Sequence, residues 1–427
     1  MKISERLLIR NFLTIQEFDW DVKDFNILTG GMGSGKSVCV KLLYFLESIL
    51  HTLIFNQNIT KENLNSSIFY DNIVNEFTKL FPVDNSILSS TEIDYTYSFN
   101  GNVFDLRAIW DIDGYSLKWS SNYLDIHLEK WQEYFRTEDT INMSQIVRNQ
   151  IYRSISNDFD NSFPIGTIFI PASRAIAAIT NNTDFPDPFL VNFIKNLKPF
   201  ILRFKELSNK SINDILLIEN MIYDKERDLR ITLTNKCEIQ PLSLSSGQQE
   251  LLYLALLVGH LEDIGFTYAE NISVFIEEPE AHLFPQDQKN AIEFIVKMFR
   301  KVKDQDYKQK RFFITTHSPY VLNVMSTMMN KGCLHMLLDK LQVNNNEVID
   351  GILDKNELSQ KTDFEKFFKK GEVSAYYINA DDGKVIPMTS ENDSFINAVK
   401  INDISQAIFD EANSVDDALA ELNALEI

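Results

Sequence analysis

This sequence predicts an α/β fold with a mixed, mainly parallel sheet, and three observations predict it. Short apolar runs of strand character recur along the chain, and many are followed by stretches of helical period. One run, with Phe25, Ile27 and Leu28, feeds a glycine-rich loop that opens straight into a helix. Two others, 272–276 and 312–315, deliver Glu277-Glu278 and His317 at or just past their ends. Polar groups collected at the ends of buried strands are where α/β sheets place their sites.

The elements follow in order. Leu7 and Ile9, then Ile15, Phe18 and Trp20, then Phe25, Ile27 and Leu28 read as three strands separated by polar turns. Lys36 to Leu50 has a helical period carried by Val40, Leu43, Tyr44, Leu46, Glu47 and Leu50. Residues 56–85 are Asn-rich and poorly periodic. Residues 92–98, 103–110 and 115–119 read as an antiparallel meander turned at Asn100-Gly101 and Asp113-Gly114. Residues 124–135 and 144–155 read as helices. A buried strand at 167–170 ends in Pro171-Ala172-Ser173-Arg174. A long amphipathic helix is expected over 190–207, with Pro199 starting or kinking a segment of it. A strand at 230–233, a helix at 247–262, a strand at 272–276 and a Pro-initiated helix at 285–301 follow. Ser318-Pro319 then starts a helix over 320–329. The organisation expected is 1–55 with the glycine loop, 56–165 as a β-meander and helical insertion, 166–335 as the core, and 336–427 as strands with an acidic helical tail.

Composition limits the function classes. With 427 residues, 44% hydrophobic and 12% aromatic, the chain exceeds one simple core. No apolar run approaches the roughly 18 residues that span a bilayer. Met1 to Arg10 lacks the apolar core of a signal peptide. Cys39, Cys237 and Cys333 are scattered without C-x-x-C spacing, which suits a reducing cytoplasm and offers no metal site. A net charge of -20 argues against a protein that coats nucleic acid. It leaves room for a local basic strip: Arg300, Lys301, Lys303, Lys308, Lys310 and Arg311, or Lys195, Lys198, Arg203 and Lys205. Each set reads first as a solvated helix face. Past Lys400 the chain has no basic residue, and an apolar stripe from Ile404 to Leu425 reads as packing on its own subunit or as a contact surface.

Four motifs carry the chemistry. Gly30-Gly31-Met32-Gly33-Ser34-Gly35-Lys36-Ser37 is G-x-x-x-x-G-K-[ST], between a strand and a helix. Its backbone N–H groups are expected to cradle phosphates, Lys36 to reach the β- and γ-phosphates of ATP, and Ser37 to hold Mg²⁺. Glu277 and Glu278 follow each other on a strand, face opposite ways, and so do different work. Glu277 is the expected second metal ligand, and Glu278 is placed to orient the attacking water. His317 stands where an imidazole bonds a γ-phosphate. Ser245, Ser246, Gly247 and Gln248 open a helix and form a second anion site. If the two sites lie on opposite faces, two subunits arranged head-to-tail around ATP bring them together.

The set GGMGSGKS, LSLSSGQQELL, VFIEEPEAHLFP and FFITTHSP resembles the ABC-type ATPases of the RecF, SMC and Rad50 kind. Within these it is most similar to the OLD (overcoming-lysogenisation-defect) and PtuA-like branch, in which E-P-E-A-H-L-x-P is typical. Asn11-Phe12 is similar to that family's N-terminal N-F element. The resemblance covers 1–50 and 165–330, and 371–388 more loosely. It implies an ABC-type P-loop ATPase head with an antiparallel β lobe and a helical insertion. Met32 replaces a frequent Asn, and Phe284 replaces the aspartate that usually follows the acidic strand. Arg174 sits where a glutamine loop would occur, and reads as a phosphate or partner contact or as a surface arginine. Asp381-Asp382-Gly383 reads as a hairpin turn and not as part of the C-terminal nuclease that OLD proteins carry. The resemblance therefore implies a homodimeric or larger ATPase working with a separate effector, a nuclease or toxin, in antiviral defence, with nucleic acid or a phage component as trigger. A RecF-like ATPase that clamps duplex DNA is the competing expectation; a transporter subunit fits poorly.

Overall fold

The first half of the chain runs β1 (Ile3–Phe12), β2 (Ile15–Asp21), β3 (Phe25–Gly30), α1 (Lys36–Phe55), α2 (Ser66–Leu80), β4 (Glu92–Phe99), β5 (Asn102–Asp111), β6 (Ser116–Ser120), α3 (Asn122–Gln132) and α4 (Met143–Asp158). The second half runs β7 (Gly166–Ile170), α5 (Pro188–Ile201), α6 (Lys210–Leu216), β8 (Ile218–Asp224), β9 (Asp228–Leu233), β10 (Glu238–Ile239) and α7 (Ser246–Gly259). It continues through β11 (Ile272–Glu277), α8 (Pro285–Lys303), β12 (Lys310–Thr316), α9 (Pro319–Lys340), β13 (Val373–Ile378) and β14 (Val385–Pro387). This computed structural model describes residues 3–55, 59–83, 88–111, 116–135, 143–164, 166–175, 185–201, 210–224, 228–261, 271–303, 310–340, 368–389 and 396.

The central sheet has six strands in the order β14-β13-β3-β12-β11-β7. Every pairing is parallel except β13 with β14. β3, β11 and β12 are buried along their whole length because both faces of the sheet are covered. Alternate residues feed two separate cores. Phe25, Ile27, Val274, Ile276, Phe312 and Ile314 point into one, with the apolar faces of α7 and α8. Leu28, Phe275 and Phe313 point into the other, with α1 and the antiparallel sheet. Phe275 and Phe313 stack there with ring centroids 4.5 Å apart.

The antiparallel sheet has the order β2-β1-β4-β5-β6. The expected meander forms, and Asn100 and Gly101 both take the positive φ that a tight hairpin turn requires. β4 pairs with β1 from Ile3↔Phe99 to Arg10↔Glu92, so residues 92–120 extend the sheet that β1 and β2 begin.

The poorly periodic stretch 56–85 contains α2. Asn65 caps it by accepting from Ser67 N–H and Ile68 N–H, and only a narrow stripe, Phe69, Ile73 and Phe77, is buried. Tyr70, Val74 and Leu80 pack beside that stripe, so the helix has a regular apolar face, set between irregular Asn-rich sequence that hides its period. The expected helix over 190–207 begins two residues earlier, at Pro188, and its described part runs through Pro199 to Ile201. The Asp113-Gly114 turn and the acidic tail lie outside the described residues.

Two expectations from composition change. α1 is long and apolar enough to cross a membrane by length and composition. It is instead a core helix, carrying Cys39, Val40, Leu43, Leu46 and Leu50 into the second core. Three residues of the first candidate basic strip are no surface either: Arg300, Lys310 and Arg311 are buried, and the side chains of the other three lie outside the described residues. Arg300 pairs with Glu372 at 2.9 Å, and Lys310 donates to the Leu261 carbonyl. Arg311 meets Glu5, Glu47 at 2.8 Å and the Ser273 hydroxyl at 2.7 Å.

Candidate nucleotide site

Parallel pairing brings four strand ends to one edge. Thr315 lies opposite Leu28 on one side and Glu277 on the other, so the glycine loop, His317 and the acid pair leave adjacent strands at the same level. β7 ends beside them and delivers Pro171 to Arg174. These residues converge at the carboxyl edge of the parallel sheet.

The glycine loop is shaped by close approach. Gly30 has φ 152, and a Cβ there would strike the Ile378 carbonyl of β13; Gly35 has φ 100, and a Cβ would strike the Thr14 hydroxyl. Neither position accepts a side chain. Ser34 and Lys36 are buried, whereas Met32 is 89% exposed at the loop tip. Lys36 Nζ donates to Gly30 O at 2.9 Å and Gly31 O at 2.8 Å, and lies 3.2 Å from His317 Nδ1. Burial lowers its pKa to about 8, against the raising influence of Glu278 and Glu280.

The two acids differ in setting: Glu277 ends β11, and Glu278 lies just past it. Glu277 is buried; its Oε2 accepts Ala172 N–H at 3.3 Å. Oε1 lies 3.8 Å from Lys41 Nζ and has no hydrogen-bond donor of good geometry among the described residues. Burial pushes this carboxyl upward, and Lys41, the nearby Ser37 hydroxyl and Ala172 N–H oppose the shift. A buried carboxylate with an unsatisfied oxygen beside a serine hydroxyl is an oxygen-ligand set suited to a hard divalent cation such as Mg²⁺. Glu278 lies just past the strand at φ 43, with its side chain about one-third exposed, and its Oε1 is 2.9 Å from His317 Nε2. His317 Nδ1 meets both Lys36 Nζ and, at 3.1 Å, the Gly30 carbonyl, while Nε2 meets Glu278. Lys36, His317 and Glu278 thus form one chain of contacts.

Ser245 is the N-cap of α7. Its hydroxyl accepts from Gln248 N–H at 3.3 Å, and Gln248 Oε1 accepts from Ser245 N–H at 3.2 Å, a capping box. Gln248 also donates Nε2 to Leu216 O at 2.7 Å, so its side chain serves the cap. Ser246 and Gly247 form the first turn. Among the described residues no hydrogen bond or ion pair joins 245–248 to the Lys36 loop. Gly247 instead faces Leu283, where an added Cβ would approach to 3.2 Å.

Sequence reasoning missed three groups and misread a fourth. Lys41 stands one turn beyond Ser37, between Glu277 and Asp187. Glu280 accepts from the Thr316 hydroxyl at 2.5 Å and His317 N–H at 2.9 Å, fixing the turn that carries the imidazole. Glu250 on α7 lies 3.5 Å from Arg174. Lys41 had a signal, an i+4 position on the helix from Ser37, and Glu280 had its place in E-P-E. Arg174 is neither a surface nor a phosphate residue. It is fully buried against backbone carbonyls.

Fold and site together define a P-loop nucleotide-binding chain of the α/β class. Residues 187–322 match the family described as AAA ATPase domain, a span holding Ser245–Gln248, Glu277, Glu278 and His317 but not the glycine loop. The chain is 28% identical over 163 residues to nuclear cap-binding protein subunit 1 of Schizosaccharomyces pombe. That similarity takes in 37% of this chain and spans 21% of the curated relative's length. Among solved structures it is similar to the SMC head domain of Thermotoga maritima, with 13% identity, TM-score 0.35, and 76% and 92% of the two chains covered. A SmcHead bound to the C-winged helix domain of ScpA gives 11% identity and TM-score 0.42 over 91% and 98%. The Smc head with an extended coiled coil bound to the C-terminal domain of ScpA, from Pyrococcus furiosus, gives 12%, 0.38, and 95% and 100%.

Proposed function

We infer that this chain is an ATPase that closes head-to-tail on a second copy around ATP and governs a separate effector in anti-phage defence. The observation that carries the ATPase reading is the meeting of Lys36, Ser37 with Glu277, and Glu278 with His317 at one sheet edge. In this reading Lys36 exchanges the Gly30 and Gly31 carbonyls for phosphate oxygens. Ser37 and Glu277 would hold Mg²⁺, which supplies charge neutralisation at the phosphates. Glu278 orients a water for in-line attack, the new P–O bond forming as the bond to the ADP oxygen breaks. His317, held by Glu280, hydrogen-bonds the transferred group.

The dimer reading is supported by the separate anion site at Ser245–Gly247 and by two apolar side chains on show, Met32 and Phe284, the latter 79% exposed. The effector reading is supported by the resemblance of the four motifs to the OLD and PtuA-like branch. The DNA-clamp alternative loses half of its first basic strip to burial. The test is Glu278→Gln: nucleotide binding is expected to persist while hydrolysis slows at least about tenfold. A normal rate, with Glu277→Gln the slow variant, would reverse the two roles.

A further inference from the structure

Arg174 has no exposed surface, yet it is surrounded by backbone from three parts of the fold. Nε donates to Glu250 O at 2.9 Å, on α7. Nη1 donates to Glu277 O at 2.9 Å and Pro171 O at 3.3 Å, and Nη2 to Glu278 O at 3.2 Å and Pro279 O at 3.4 Å. The Glu250 carboxylate stands 3.5 Å from Nε and offsets the buried charge. The planar fork of a guanidinium reaches several acceptors at once; a lysine ammonium, a point charge with three donors, does not.

Three of the accepting carbonyls belong to consecutive residues, 277 to 279, that bracket Glu278. At φ 43 this residue sits in the left-handed region that side chains disfavour, and such a conformation persists only where its surroundings impose it. Glu278 N–H is tied to Thr315 O at 3.0 Å on one side, and its carbonyl to Arg174 on the other. The same guanidinium grips α7 one turn beyond the Ser245–Gly247 turn.

We propose that Arg174 is a positioning residue that holds the strained Glu278 peptide in its working conformation and ties that conformation to the placement of α7. A shift of the α7 N-terminus, as on meeting a γ-phosphate, then passes to Glu278 through one side chain. The proposal rests on the ATPase reading above and adds to it a residue outside the four motifs.

The test compares full-length wild type, Arg174→Lys, Glu278→Gln and their double variant in single-turnover hydrolysis and in binding of a non-hydrolysable ATP analogue. Arg174→Lys is expected to lower the rate at least about tenfold while analogue affinity stays within about threefold. The double variant is expected to be no slower than Glu278→Gln by more than about twofold, because both changes remove the same contribution. A merely structural arginine would give additive losses or weakened binding, and either result overturns the proposal, as does a wild-type rate. Should Arg174→Lys fail to fold, Glu250→Gln breaks the charge pair and leaves every carbonyl in place. It is expected to slow hydrolysis without loss of analogue binding, and a wild-type rate there overturns the proposal. A wild type that neither binds nor hydrolyses ATP fails the ATPase reading, whereas an active wild type beside an active Arg174→Lys fails this inference alone.

Discussion

Lys36 is held without a carboxylate in hydrogen-bond contact. Lys36 Nζ touches two carbonyls and an imidazole, and burial lowers its pKa to about 8. A lysine whose folded pKa lies below its unfolded one binds fewer protons when folded, so the free chain gains stability as pH rises from about 8 to the ordinary lysine value. Phosphate binding favours the charged form and reverses this. Nucleotide binding at a pH above about 8 is therefore expected to take up a fraction of a proton. Calorimetry in buffers of different ionisation enthalpy reads that fraction directly. Affinity should fall as pH rises above about 8, and Lys36→Ala should bind weakly, with no such proton uptake.

At the scale of elements, one buried cation joins the layers. Arg311 on β12 meets Glu5 on β1 and Glu47 on α1, and Tyr95 on β4 donates to Glu5 at 2.8 Å. Burial pushes Glu47 well up and Arg311 down to about 9, so the cluster holds together only as a set. Arg311→Leu leaves buried carboxyls without their cation and is expected to cost about 3–5 kcal/mol, measured by urea unfolding. This cluster also shows what was legible in the sequence. The glycine loop, the acid pair and His317 were readable because each is a contiguous motif at a strand end. Arg311 and Arg174 were not, because their partners lie on other elements and a charged residue in sequence reads as surface. α2 is obscured differently: its regular face, Phe69, Ile73 and Phe77, is set between irregular Asn-rich segments that break the period of the wider stretch.

For the whole molecule, the separation of Ser245–Gly247 from the Lys36 loop has a measurable consequence. If each subunit completes the other's site, mixing Lys36→Ala with Gly247→Asp chains restores one intact composite site per mixed dimer. Recovery of part of the hydrolysis lost by each variant alone is the expected outcome. Absence of recovery at every mixing ratio, with subunit exchange demonstrated, would count against the head-to-tail arrangement. Gly247→Asp also presses on Leu283, so its unfolding midpoint should be measured beside its activity.

The strand that leads into the nucleotide loop lies early in the chain, but both of its neighbours come late. Phe25 is paired with Phe312 on one side and Val373 on the other, so β3 is flanked by segments most of the chain away. During synthesis from the N-terminus, β1 and β2 can pair as a hairpin while β3 waits with both hydrogen-bonding edges open. Closing contacts of such long range is slow, and an apolar strand with open edges is a template for pairing with other chains. The order of the strands in the sheet therefore fixes a vulnerable interval in the birth of each molecule. It ends only when β13 has left the ribosome and sealed the strand on which nucleotide binding depends.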